Sequence, residues 1–437
     1  MASSRIRAIL GSAALFSLVS LLPKFLAIFK DVLIAARFGA ADVLDSYLIA
    51  FVLIGVPVSI MVVSLQTTLI PALVQKEDTD AADRLLGGGL KLAILALAIA
   101  LPFWLAAVPW MLQLVFPGRV GRDIELVDEA CWWLIPYYFL NGCNLLLYGA
   151  LQARRSFWPN ALLPGVFPLA LLGALSLMPQ VALSPLLAGT VVGSALEFAA
   201  LLWLVSRGGI SFRGSLRASG ALRQAVLAVP LMMGALLSTA APVLEQMIAY
   251  GLGPGSVSLL SYGNKVPAAL GSLLVTAIGI VVLPHLAQML HRQEWRECHR
   301  LCLTLGAFVF GGGVLVAGLG MALAHLVISL LFERGAFSPP QTADAAAVMR
   351  MYLVQLPFLL VAMVAMRALA AMEKTVAMTW VSAVQLVVGV GLGYYLSRGL
   401  GPSGVALGTS IGAMVGSGLL IWVTRRFLSE RIAKAEA

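Results

Sequence analysis

VLDSYLIAFVLIGVPVSIMVVSLQTTLIPALVQ, residues 43–75, carries a single charged side chain, Asp45. A helix rises 1.5 Å per residue, so about 20 apolar residues cross a hydrocarbon core. The stretch is long enough to span a bilayer with room for tilt or a kink. Comparable runs recur along the 437-residue chain, at 8–36, 85–116, 127–151, 159–178, 183–206, 224–250, 256–290, 301–331, 342–370, 376–397 and 403–424. Hydrophobic residues make up 60% and charged residues 11%, where soluble domains carry about 25% charge. The pattern predicts an all-α polytopic membrane protein of about twelve transmembrane helices. The first run is too long for a cleavable signal peptide and has no small-residue cleavage site.

The basic residues set the expected orientation. With the N-terminus in the cytoplasm, 18 Lys and Arg fall in cytoplasmic segments, from Arg5 and Arg7 to Arg431 and Lys434. Five fall outside: Arg37, Arg119, Arg122, Arg334 and Arg398. That bias follows the positive-inside rule and places both termini in the cytoplasm. It also accounts for the net charge of +9. The scatter of these residues over short loops gives no support to nucleic-acid binding.

The two halves repeat weakly. SYLIAF (from Ser46) leads to LIPALVQ (69–75), as SYGNKV (from Ser261) leads to VLPHLAQ (282–288). ALQARRSF (150–157) corresponds to ALAAMEKT (368–375). The offset stays between 213 and 218. Six helices per half insert the same way, so the repeat is parallel, about an axis along the membrane normal. The expected division is an N-terminal six-helix lobe, 1–215, and a C-terminal six-helix lobe, 216–437, joined through the Arg-rich segment 207–223.

Ionisable groups inside spans are costly and mark cavities or pairs. Lys24, Lys30, Lys265 and Arg350 fall in or toward the outer half of the bilayer. Together they suit a cationic cavity between lobes that holds a phosphate or pyrophosphate. Asp31, Asp45, Glu197 and Glu245 would balance those charges or couple transport to a cation. Asp31 also reads as a partner of Lys24 or Lys30, with Pro23 able to kink their helix. Asp45 reads equally as a helix cap, and Arg367 as a snorkelling anchor. His285 and His325 read as structural. Cys298 and Cys302, with His291 and His299 nearby, fit no metal-ligand spacing and read as a surface helix. The small residues at 270–279 and Gly311–Gly313 suit close helix packing. GLGPGS (251–256) has no following Lys and is no phosphate loop.

FKDVLIAARFGAADVLDSYLIAF (29–51) resembles the opening motif of the MurJ/MviN lipid II flippases, in the MOP exporter superfamily. LIPALVQ falls where that family has a Phe-Val-Pro segment. GPGSVSLLSYGNKVPAALGSLLVTAIGIVVLPHLAQ (253–288) resembles its second-lobe helix, and LLFERGAFS (330–338) a phrase common in it. The resemblance covers most of the chain and implies a MOP/MATE-like fold. By position, Lys24 and Lys30 match two cavity arginines of the family's first helix, and Lys265 one of its eighth. Asp31 and Asp45 match its aspartates. The resemblance implies pyrophosphate binding by these cations, alternating access, and dependence on membrane potential or on an ion, Na+ or H+.

The chain also departs from the family. Lysine replaces arginine at all three positions, keeping charge but losing the bidentate fork. VLIGVPVSIMVVS (52–64) lacks the family's basic segment. Lipid II flippases usually have fourteen helices, against twelve read here. A divergent flippase is therefore expected. Its substrate would be lipid II or another undecaprenyl-pyrophosphate-linked sugar, for an exopolysaccharide or O-antigen, carried across the bacterial inner membrane. Expected partners are the bilayer and cell-envelope glycan synthesis enzymes, with no cofactor and no bound metal. A MATE-type drug or cation antiporter is the alternative, which acidic cavity residues would favour. A membrane polysaccharide polymerase or ligase needs a sizeable external loop with a catalytic constellation, and none assembles here.

Overall fold

The computed structural model describes residues 19–76, 78–115, 122–154, 156–209, 212, 214, 220–291, 294–372 and 374–436. These residues contain no β-strand. Nine helical segments among them are long and apolar enough to cross a bilayer. Of the other three expected spans, 127–151 falls on helices at 122–133 and 135–153, and 256–290 on one at 256–291; 8–36 falls on a helix from residue 21, and its residues 8–18 lie outside those described. The chain forms two compact units. Unit 1 comprises Met1–Phe38 and Asp42–Thr239, and unit 2 comprises Gly39–Ala41 and Ala240–Ala437.

Unit 1 begins with α1 (Leu21–Phe38), which has Pro23 in its first turn, where a missing N–H is tolerated. α2 (Asp42–Pro57) ends on a proline. A π-turn at Val58–Val62 follows, and the helix resumes as α3 (Val63–Val74). Pro57 cannot donate to Leu53, whose carbonyl accepts instead from Trp104 Nε1 at 2.9 Å, so the 43–75 span is continuous but irregular. α4 (Thr79–Val115) contains Pro102 and Pro109. α5 (Arg122–Trp133) and α6 (Ile135–Ala153) are split at Leu134, two residues before Pro136. Backbone bonds bridge the break: Leu134 donates to Ala130, and Tyr138 to Leu134. α7 (Trp158–Leu162) and a 3₁₀ turn at Leu163–Gly165 lead into α8 (Val166–Leu177). α9 (Leu183–Arg207) lies tightly on α8: a Cβ on Gly189 would stand 2.9 Å from Leu171 Cα. α10 (Ala221–Leu252) runs through the division at Thr239/Ala240 into unit 2.

Unit 2 continues with α11 (Ser256–His291), α12 (Trp295–Ala322) and α13 (Ala324–Phe332). α14 (Pro339–Leu353) opens with a capping box, Ser338 and Gln341 satisfying each other's backbone. α15 (Leu356–Ala371) is offset from α14 by Pro357, again at the start of a helix. The last two helices are α16 (Thr375–Leu400) and α17 (Pro402–Glu436). Gly404, Gly408 and Gly412, each four residues apart, share one face of α17. A Cβ on them would stand 2.4 Å from Leu396 C, 2.2 Å from Gly393 N and 2.7 Å from Gly389 Cα. The two backbones meet because only hydrogen lies between them, as small residues permit in membranes. Of the Gly311–Gly313 triplet only Gly313 packs closely, where a Cβ would stand 2.8 Å from Pro357 Cα; Gly311 and Gly312 face open space.

Two motifs distant in sequence join in unit 2. Tyr262 packs on Phe332 (ring centroids 5.0 Å apart) and edge-on against Phe337 (5.3 Å), all three buried. SYGNKV and LLFERGAFS thus form one aromatic core. Gly39 and Gly255 fit their turns against it, each with positive φ. Their missing Cβ atoms would stand 2.6 Å from the carbonyl oxygens of Ala336 and Ala40.

Candidate functional site

In unit 1 the charged residues of α1 are only partly shielded. Lys30 Nζ lies 3.1 Å from Asp31 Oδ1, both largely buried. The ion pair expected for Asp31 is therefore with Lys30. The ammonium also stands over the Phe167 ring, 5.9 Å from its centroid, a distance at which the ring face attracts a cation. Phe167 belongs to an aromatic wall. Phe51 stacks on Tyr137 (5.1 Å), and each ring is 6.3 Å from Phe167. Tyr47 adjoins Phe51 (5.9 Å), and its hydroxyl shares a 2.7 Å hydrogen bond with Thr190. Lys24 is exposed, and the structure records no hydrogen bond or ion pair for it among the described residues. Asp45 is buried in the first turn of α2. Its charge there is favoured by the exposed N–H groups of the helix start.

Glu197 on α9 is half-buried and accepts a hydrogen bond from the Tyr148 hydroxyl of α6. One turn away, Asn144 Nδ2 donates to the Ser194 carbonyl at 3.4 Å. Residue 144 lies beside 194 and residue 148 beside 197, so α6 and α9 run in the same direction here. Two even-numbered spans must do so.

Unit 2 holds a second carboxylate of this kind. Glu245 on α10 is half-buried and accepts from the Tyr352 hydroxyl of α14 at 3.0 Å. Tyr352 itself is buried. Each unit therefore presents a glutamate held by a tyrosine, and each tyrosine comes from the fourth predicted span of its half. Lys265 on α11 is exposed. Arg350, also exposed, turns its Nε toward the Met321 carbonyl at 3.3 Å, at the end of α12. Arg367 is half-buried on α15. His325 is exposed on α13, and the side chain of His285 lies outside those described.

Sequence reasoning picked out both glutamates but missed their partners. The available signal was Asn144 and Tyr148, four apart and facing one side of a membrane helix, where polar groups need partners. Cys298 departs from its expected surface position. It is fully buried with Ala368 and Leu428, so it packs as a small apolar side chain. Among the described residues no group of three His, Cys, Asp or Glu side chains is placed to hold a metal.

The sequence pattern of a family described as "Lipid II flippase MurJ" matches residues 34–435. A relative from Rhizobium meliloti (strain 1021), "Probable lipid II flippase MurJ", is 23% identical over 345 residues. That alignment covers 77% of this chain and 63% of the relative's length. Among solved structures, a lipid II flippase MurJ in an inward closed conformation superposes with a TM-score of 0.79 at 20% identity. It covers 94% of this chain and 87% of that one. An inward-facing multidrug resistance MATE transporter of the MOP superfamily gives the same TM-score at 16% identity, over 95% of this chain and 99% of that one. These likenesses establish a fold common to both groups. The family match over nearly the whole sequence decides between them: the chain belongs to the MurJ lipid II flippase family.

Proposed function

We propose that this multi-pass membrane protein is a flippase that moves an undecaprenyl-pyrophosphate-linked oligosaccharide, lipid II or a related repeat unit, across the bacterial inner membrane. The observation that carries this reading is Lys24. An ammonium on an apolar helix, with no counter-charge among the described residues, is costly unless it faces water or an anion. A pyrophosphate supplies that anion. In this reading Lys24 and Lys30 of unit 1, with Lys265 and Arg350 of unit 2, draw the headgroup out of the lipid. The prenyl tail stays in the bilayer. No covalent step is involved, so the protein acts as a transporter rather than an enzyme and requires no cofactor.

The tyrosine-held glutamates favour coupling to a cation, Na+ or H+, as the charge that enters when the anionic headgroup leaves. Both termini lie in the cytoplasm in this reading. Cell-envelope glycan synthesis enzymes supply and consume the cargo. The test is complementation. The chain is expressed in a bacterium depleted of its lipid II flippase, with membrane insertion verified. Rescue by the wild type and loss of rescue with Lys24→Ala support the reading. Rescue that survives Lys24→Ala at equal abundance refutes the role of Lys24. Failure of the wild type shifts the cargo to an exopolysaccharide or O-antigen unit.

A further inference from the structure

Unit 2 contains a groove that the transport reading does not use. It has a volume of about 610 Å³ and lies between α12, α15 and α17, in the size range of ligand sites, about 300–1,000 Å³. Gly306 and Phe310 line it from α12, Val361 from α15, and Gly418 and Ile421 from α17. Arg425 closes one end. The groove exists because glycines stand where side chains would fill it. A Cβ on Gly418 would meet nothing within 4 Å, and one on Gly306 only Val361 Cγ1 at 3.9 Å. The lining presents hydrocarbon. Its one hydroxyl, on Ser417, is turned away to the Phe358 and Ala413 carbonyls at 2.8 and 2.7 Å.

The Arg425 end is polar in the manner of a membrane interface. A smaller adjoining cavity shares Val361, Ile421 and Arg425 and adds His299. Arg426 lies over the Trp422 ring at 5.6 Å and pairs with Glu430 at 3.1 Å. Arg431 lies over the Trp295 ring, also at 5.6 Å. Tryptophan and arginine collect at the level of lipid headgroups. Arg425, by contrast, has no recorded hydrogen bond or ion pair among the described residues. An apolar channel that ends in a guanidinium with no ion pair among the described residues, at this level, matches one kind of molecule: an acyl chain joined to a phosphate.

We infer that the groove is a resident site for an anionic phospholipid of the cytoplasmic leaflet, with an acyl chain along Phe310 and Ile421 and the phosphate on Arg425. Basic pockets between membrane helices on the cytoplasmic side bind such headgroups. A prenyl-linked cargo has similar chemistry. Phospholipid is the abundant species in the leaflet, however, and occupancy follows concentration. The site is distinct from the residues proposed for transport.

The test uses the full-length protein, delipidated and reconstituted with phosphatidylglycerol or phosphatidylcholine. Retained lipid is measured by native mass spectrometry. Wild type is expected to retain phosphatidylglycerol in preference to phosphatidylcholine. Gly418→Leu and, independently, Gly306→Leu fill the groove and should abolish retention. Arg425→Gln should weaken it about fivefold and erase the headgroup preference. Gly391→Leu, also in open space but outside the groove, should leave retention unchanged and serves as the folding control. Wild-type retention in both groove-filling variants overturns the site. Displacement of phosphatidylglycerol by an equal mole fraction of undecaprenyl pyrophosphate overturns the assigned occupant. Either result is independent of whether the chain rescues a flippase-depleted strain.

Discussion

The hydroxyl of Tyr352 donates to Glu245 Oε2 at 3.0 Å, from a side chain buried in the core of unit 2. A hydrogen bond to a charged group contributes about 1.5–3 kcal/mol. Removing the donor should therefore disturb Glu245 without removing its charge. Tyr352→Phe is expected to leave a folded protein with transport reduced about tenfold or more. Glu245→Gln keeps an acceptor for the tyrosine but loses the charge. If Glu245 carries a coupling ion, Glu245→Gln should abolish ion-dependent transport in proteoliposomes. Normal ion dependence in Glu245→Gln would exclude that role. Tyr148→Phe and Glu197→Gln provide the same comparison in unit 1.

Lys24 and Lys30 should separate when stability and transport are measured side by side. Lys30 is paired with Asp31 and largely buried. Lys30→Ala removes the cation paired with Asp31 and should lower the melting temperature in detergent. Adding Asp31→Asn should restore the melting temperature but not transport. Lys24 is exposed and has no ion pair among the described residues, so Lys24→Ala should melt as wild type does and still fail to transport. Lys24→Arg should retain most activity, because it keeps the charge and adds a fork suited to phosphate. A Lys24→Ala protein that transports normally would remove the cation from the mechanism.

Gly39 and Gly401 have nearly the same backbone angle, φ +56 and +58, in different surroundings. A Cβ on Gly39 would stand 2.6 Å from the Ala336 carbonyl oxygen, whereas one on Gly401 would meet nothing. Gly401→Ala should therefore cost only its backbone conformation, φ +58 and ψ −142, a region essentially reserved for glycine and worth about 1–3 kcal/mol. Gly39→Ala should cost more, because the carbonyl belongs to backbone and cannot swing aside. Thermal melts of the two variants, taken together, measure the excess. Equal shifts would mean that the FGAA turn is free to move away from the ERGAFS turn.

The helices were legible in the sequence because apolar length alone reports them. Where the expected spans lie within the described residues they fall mainly on helical backbone, including 43–75 with its π-turn after Pro57. The intramembrane carboxylates were legible too, since a Glu in an apolar run stands out. Their tyrosine partners were not. Tyr148 and Tyr352 lie 49 and 107 residues from the glutamates they hold, and an apolar run does not say which face meets which neighbour. The same blindness made Cys298 look like a surface residue, although Ala368 and Leu428 cover it. It also drew attention to the conspicuous triplet Gly311–Gly313 rather than to glycines spaced by four. A helix interface needs one small residue per turn on one face, not three in a row that point in different directions.

Gly408 should consequently be the least replaceable glycine of the C-terminal helices. Its absent Cβ would stand 2.2 Å from Gly393 N and 2.3 Å from Gly393 Cα. Neither atom is the end of a flexible side chain, so α16 and α17 must separate to admit even a methyl group. Inserting atoms into a packed core costs about 1–3 kcal/mol when side chains can adjust, and here only backbones could. Gly408→Ala is expected to fall at or above that range, and Gly408→Val to prevent accumulation of folded protein. Gly311→Ala, facing open space, should be neutral or slightly stabilising, because alanine is the better helix former by about 1 kcal/mol. Fluorescence-detected size exclusion after a temperature series would rank the three variants. Survival of Gly408→Ala at the Gly311→Ala midpoint would show that the two helices are not held backbone to backbone.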